Sequence, residues 1–223
     1  MRRFILLLTM TAATLVTAGG VALAVDEIGT NGPDTLKGTN GSDNLLGRGG
    51  NDALYGFDGR DNLLGGDGKD WVLGGDEVGP LDGDKNLVGG AGNDGLNGGD
   101  GFDDLMGGGG NDRINGEFGP DRIFGQAGDD YLLDGEFRAG ERDTLSGADG
   151  DDLLDTINQP AKQDIVSCGR GFDRVLADAN DAIAPDCEKV AVGPAAAHRL
   201  KQQLENSGYF EKFFDGLAPF PEG

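Results

Sequence analysis

Between residues 29 and 155 a large aliphatic side chain returns every nine residues, as a rule two places after an aspartate and two before a glycine. From Gly29 the units read GTNGPDTLK, GTNGSDNLL, GRGGNDALY, GFDGRDNLL and GGDGKDWVL. A stretched unit (74–88) follows, then GGAGNDGLN, GGDGFDDLM, GGGGNDRIN, GEFGPDRIF and GQAGDDYLL, a second stretched unit (134–146) and GADGDDLLD. Counting each first glycine as position one, position eight holds Leu36, Leu45, Leu54, Leu63, Val72, Leu87, Leu96, Leu105, Ile114, Ile123, Leu132, Leu145 and Leu154. Positions seven to nine predict a three-residue strand whose alternation turns position eight inward and leaves seven and nine outside. Positions one to six predict a turn, with glycine supplying positive φ and bringing carbonyl oxygens together.

Position six is Asp34, Asp43, Asp52, Asp61, Asp70, Asp94, Asp103, Asp112, Asp121, Asp130 and Asp152, with Asp143 in the second stretched unit. Calcium takes about six to eight hard oxygen ligands, which such carboxylates and turn carbonyls can supply. A flexible glycine-rich linker does not account for an aliphatic residue at position eight of every unit. Three-residue strands are poor material for free hairpins, despite Asn97-Gly98 and Asn115-Gly116. No EF-hand loop pattern occurs.

The pattern G-G-x-G-x-D-x-U-x, with U a large aliphatic residue, resembles the hemolysin-type calcium-binding (RTX) repeat family. The resemblance covers more than half the chain. It implies an all-β, right-handed parallel β-roll in which two units make one coil, units two apart stack, and neighbouring turns share multiple Ca²⁺ ions. Numbered from Gly29, the odd units then place Asp34, Asp52, Asp70, Asp94, Asp112, Asp130 and Asp152 in one unbroken column. The even units place Asp43, Asp61, Lys85, Asp103, Asp121 and Asp143 in the other, when the stretched sixth unit is aligned on Leu87. The expectation is about six ions on the odd edge and about three on the even edge. Lys85 interrupts the even edge unless Asp82 or Asp84 fills the gap. Both stretched units are even, so their extra loops around 77–81 and 136–141 are expected on the same edge.

Energy points the same way. Each unit buries one large aliphatic residue, worth about 1.5–3 kcal/mol. It must order nine backbone positions at about 1–2 kcal/mol each. Stacked aspartates repel one another, so the calcium-free array is expected to be disordered and calcium to fold it.

Charge and cysteines narrow the setting. The net charge of −22 disfavours nucleic acid and anionic membranes and favours cations. Residues 1–24 have the form of a signal peptide, with Arg2 and Arg3, an apolar run over 4–16 and Ala22-Leu23-Ala24 at the cleavage point. Its removal takes away two arginines and no acids, −22 − 2 = −24, and leaves no transmembrane segment. The family's usual members carry an uncleaved C-terminal signal instead, so export by the general secretory route, to the medium or the cell surface, is the expectation here. In that oxidising space Cys168 and Cys187 are expected to form a disulfide.

The domain division that follows is 1–24 leader, 25–155 calcium-binding β-roll, 156–192 degenerate repeats forming a disulfide-stapled cap, and 193–223 helical tail. In the cap Asp164-Ile165-Val166 and Gly171-Phe172-Asp173-Arg174-Val175 keep the repeat step, Cys168 stands where a position-one glycine belongs, and Asp173, Asp178 and Asp181 are candidates for a further ion. Residues 195–214 predict a helix carrying Leu200, Leu204, Tyr209, Phe210, Phe213 and Phe214, interrupted by Gly208. It is expected to pack on the roll, with the outward apolar column Leu46, Leu64, Val88, Met106 and Phe124 as one surface for it to cover.

No G-x-S-x-G or H-E-x-x-H motif occurs, and the single histidine, His198, lies in the predicted helix. The chain reads as a non-enzymatic, calcium-responsive binding, adhesion or structural module acting on a cell-surface or extracellular matrix component. The alternative is an accessory domain or degenerate member of a secreted hydrolase or toxin family.

Overall fold

A computed structural model describes residues 24–76, 86–135, 142–158 and 162–214. The predicted leader lies outside these residues, apart from Ala24, as do Lys85 and the extra loops of both stretched units.

The chain is a parallel β-solenoid of about eight coils, built from two nine-stranded sheets. One sheet runs from Thr35–Lys37 to Lys189–Val192 and takes the strands of the odd units. The other runs from Asp26–Ile28 to Ala182–Ile183 and takes those of the even units. Units two apart pair in register: Leu36 on Leu54 on Val72 on Leu96 on Ile114 in one sheet, and Leu45 on Leu63 on Leu87 on Leu105 in the other. Leu87 therefore holds its place after the first stretched unit. The position-eight side chains of both sheets form one continuous core, and from Leu54 to Leu154 each is at most 1% exposed.

Many strands are longer than three residues. Asn44–Gly49, Arg113–Phe118 and Thr144–Asp149 each continue through positions one to three of the next unit. In those units the reversal is confined to positions four to six, a correction to the expected six-residue turn, whereas after Thr35–Lys37 and Ala53–Tyr55 the six residues before the next strand form the turn as expected. At position four a Cβ on Gly68, whose φ is +142°, would run into the Gly50 carbonyl oxygen of the coil beneath, so successive turns pack backbone on backbone. Position two also takes positive φ, and there Arg48, Phe57, Glu117, Gln126 and Ala148 adopt it with a side chain.

Beyond the array, Ile165–Arg170, Arg174–Ala177, Ala182–Ile183 and Lys189–Val192 extend both sheets, and Cys168 is bonded to Cys187. Cys168 occupies a position-one place and is fully buried in the core, with Ile183 and Cys187 packed against its end. Helix α1 (Pro194–Asn206) begins with proline in its first turn, where no N–H is needed. Gly208, at φ +72°, breaks the helix before the short α2 (Glu211–Phe214).

Ala197, Leu200 and Leu204 of α1 pack on Tyr131, Leu153 and Leu176 of the odd-unit sheet, and Phe210 lies 5.4 Å from the Tyr131 ring. The helix thus covers the outer face of the odd-unit sheet and leaves the Leu46–Leu64–Val88 column of the even-unit sheet uncovered by it. The reason lies at position seven of the odd units, where Tyr131 and Leu153 supply the broad apolar seat that the even units lack.

Candidate metal-binding site

The two edges of the roll carry the chemistry. Along both edges the position-six aspartates form chains in which the Oδ1 of one accepts the backbone N–H of the aspartate one coil earlier. On the odd edge this joins Asp34 to Asp52, Asp52 to Asp70, Asp70 to Asp94, Asp94 to Asp112, Asp112 to Asp130 and Asp130 to Asp152, all at 2.8–2.9 Å. On the even edge the Val25 N–H meets Asp43, Asp43 donates to Asp61 at 2.8 Å, Asp103 to Asp121 at 3.0 Å, and Asp121 to Asp143 at 2.7 Å. The rung at Lys85 lies outside the described residues. All twelve candidate aspartates stand in these columns, and all but Asp34 are buried.

The columns run further than the repeat motif. Asp152 donates to Asp173 and Asp173 to Glu188, each within 2.9 Å; Asp143 donates to Asp164 at 2.9 Å and Asp164 to Asp181 at 3.2 Å. Asp164 and Asp173 announce themselves by the Asp-x-aliphatic step, and Glu188-Lys189-Val190 keeps that spacing with glutamate in the place of aspartate. Asp178, grouped with them in the sequence, accepts the Asn158 N–H at 3.0 Å and stands off the columns.

The second carboxylate oxygen decides what the edges can do. In the first two units it is occupied from within: the Thr30 N–H donates to Asp34 Oδ2 at 2.6 Å and the Thr39 N–H to Asp43 Oδ2 at 2.5 Å. From the third unit on, Asp52, Asp70, Asp94, Asp112, Asp121, Asp130, Asp152 and Asp173 each bury an Oδ2 with no hydrogen-bond partner. A buried anionic oxygen without a partner is costly. Burial raises these carboxyls, most of all near the middle of the stack: Asp70 to about 6, Asp112 and Asp152 to about 7, Asp94 to about 8 and Asp130 to about 9. The N–H bond from the preceding rung works against burial, while repulsion from neighbouring rungs adds to it at Asp94, Asp130 and Asp152. Asp121 is held well above the usual range by burial and by Asp103 and Asp143.

At Asp52, Asp70, Asp94, Asp112 and Asp152 the orphaned oxygen and a backbone carbonyl of the next coil crowd the same position-one glycine. A Cβ placed on Gly65 would run into Asp70 Oδ2 and lie 2.6 Å from the Gly89 carbonyl oxygen of the next coil; Gly89 stands in the same relation to Asp94 and the Gly107 carbonyl, at 2.7 Å. Position one is therefore glycine because carboxylate and carbonyl oxygens converge on it. Such a cradle, anionic and all-oxygen, fits a hard divalent cation and offers nothing to a thiophilic metal. Calcium bound there would neutralise the column, the Oδ2 atoms and turn carbonyls being the groups that would hold it. His198, the single histidine, is exposed on α1 and belongs to neither column.

A family model for the RTX calcium-binding nonapeptide repeat matches the chain four times, over residues 28–56, 55–77, 106–133 and 140–156. No curated protein and no solved structure matches it. Between the second and third matches, Asn86–Ala91, Gly95–Asp100 and Asp104–Gly109 form the same coils, so the fold is continuous where the motif match is not.

Proposed function

The chain belongs to the RTX family of calcium-binding nonapeptide repeat proteins and binds several calcium ions, and on that premise we propose that it is a secreted, non-catalytic module that folds as calcium fills its edges. The observation that carries this reading is the line of buried, unpartnered Asp Oδ2 atoms. An array with that feature lacks its counter-charge until an external cation arrives, and millimolar calcium is a property of extracellular space. The disulfide supports the same compartment.

The folded roll offers its even-unit sheet to a partner. Asn44, Asn62 and Asn86 form a side-chain ladder on this face, with Nδ2–Oδ1 distances of 2.8 and 3.1 Å, ending on Asp26 at 2.6 Å. Beside it runs the row Ile28, Leu46, Leu64 and Val88, and together they line a groove of about 560 Å³. A rank of amides next to a rank of aliphatics suits a cell-surface or matrix component. The test is retention of the purified chain on envelope fragments of the producing cell, in calcium and in chelator, with Leu64→Asp as control. Calcium-dependent retention lost in the variant is the expected result. No retention in calcium, or turnover in a hydrolase screen, would overturn the reading in favour of an enzyme accessory.

A further inference from the structure

Three buried carboxylates converge at one point of the even edge, and one of them stands where the repeat has glycine. Asp134 opens the second stretched unit at position one, Asp143 closes its turn at position six, and Asp164 is the position-six residue one coil later. Each is at most 2% exposed, and the three offer oxygens that all lie within 4.8 Å of one another. Asn158 donates through Nδ2 to Asp134 Oδ2 at 3.3 Å and to Asp164 Oδ2 at 3.0 Å. One coil earlier, Asp121 is 1% exposed, its Oδ2 has no hydrogen-bond partner, and its charge is opposed by those of both Asp143 and Asp134.

Elsewhere in the array position one cannot take a side chain, as at Gly125, where a Cβ would run into Asp130 Oδ2. The unit that Asp134 opens spans 134–146, longer than nine residues, and at its position one a carboxylate side chain is buried. Three buried carboxylates gathered beside the unpartnered Asp121 oxygen concentrate negative charge that a bound cation would offset. Ordinary rungs draw mainly on turn carbonyls and position-six carboxylates, whereas this one adds a third charged side chain, and calcium affinity rises with ligand charge and rigidity.

We propose that Asp134, Asp143 and Asp164 form a distinct side-chain calcium site at the junction of array and cap, tighter than the repeat sites and the first to fill. The inference rests on the reading of the array as calcium-binding. Filled first, the site would pin the last coils to the cap and give the rest of the array a folded end from which to grow.

The experiment is calorimetric calcium titration of the chain and of Asp134→Gly and Asp134→Asn, repeated by luminescence with terbium(III) as the probe. Asp134→Gly restores the repeat's own residue, and far-UV circular dichroism in saturating calcium checks that each variant folds. The wild type is expected to show an early phase of about one ion, at least tenfold tighter than the remainder, absent from both variants while later uptake persists. An early phase surviving in Asp134→Asn, or no early phase in the wild type, overturns this site and leaves the array reading standing. No calcium uptake by any form overturns both.

Discussion

The array and the cap stack on one another in the same two sheets, yet they balance charge differently. Through the array, coil after coil buries carboxylates with an unpartnered oxygen, and no cationic side chain among the described residues offsets Asp94, Asp112, Asp121 or Asp130. The cap also inherits rungs, Asp173 and Asp181 among them, but it brings other ties. The Cys168–Cys187 disulfide closes its core. Lys201 pairs with Asp155 at 3.4 Å, the Arg174 guanidinium lies 4.7 Å from the centre of the Tyr209 ring, and Lys212 reaches Asp129 at 3.0 Å. Tyr209 adds a hydrogen bond to the Asp151 carbonyl at 2.9 Å. One region waits for an ion from outside, and the other carries its own fastenings.

The sharpest way to break that contrast is to neutralise the columns without calcium. Folded-state carboxyls raised to about 6 at Asp61 and Asp70, 7 at Asp112 and Asp152, 8 at Asp94 and 9 at Asp130 bind protons that the unfolded chain releases near 4. Their contribution to stability is therefore present in full below about pH 4 and is lost as pH rises through the range of about 6 to 9. In chelator, strand content should be higher at pH 5 than at pH 8, measured by circular dichroism. With calcium the sign reverses, because protons compete for the ligands: the calcium midpoint should rise as pH falls from 8 to 6.

The disulfide comes next. Its partners are 19 residues apart, so removing it with Cys168→Ala and Cys187→Ala should cost the cap about 3 kcal/mol. Hydrogen exchange should show faster opening over residues 165–192 while array amides in calcium keep their protection. Equal loss in both regions would mean that the cap's fastenings hold the array too. The smallest effect is expected at Lys212, whose pair with Asp129 is partly exposed; Lys212→Ala should lower stability in calcium by less than about 1 kcal/mol by thermal unfolding.

Much of this was legible in the chain. Period nine gives the core column, and parity places the aspartates on two edges, because a parallel stack repeats its residues in register. Strand length was not legible: positions one to three are rich in glycine and carry no alternation, so their pairing shows only in the folded roll. The seat of the helix was legible in principle. Trp71, Tyr131 and Leu153 are position-seven residues that a purely outward-facing assignment leaves in solvent, yet each is buried. Trp71 lies across Gly95, whose missing side chain makes the space, and the other two receive α1. The threonines at 30 and 39 were the subtler signal, since a β-branched residue at position two resists positive φ and turns its own N–H onto the aspartate.

The central claim is that the buried carboxylate columns make folding of the array conditional on calcium. The direct test is far-UV circular dichroism of the chain from residue 25 onward, first in chelator at neutral pH and then through a calcium titration, with magnesium in parallel. The account predicts little strand signal in chelator and a cooperative gain at about 0.1–1 mM calcium that magnesium does not reproduce. A spectrum already rich in strand in chelator, and unmoved by calcium, would contradict it.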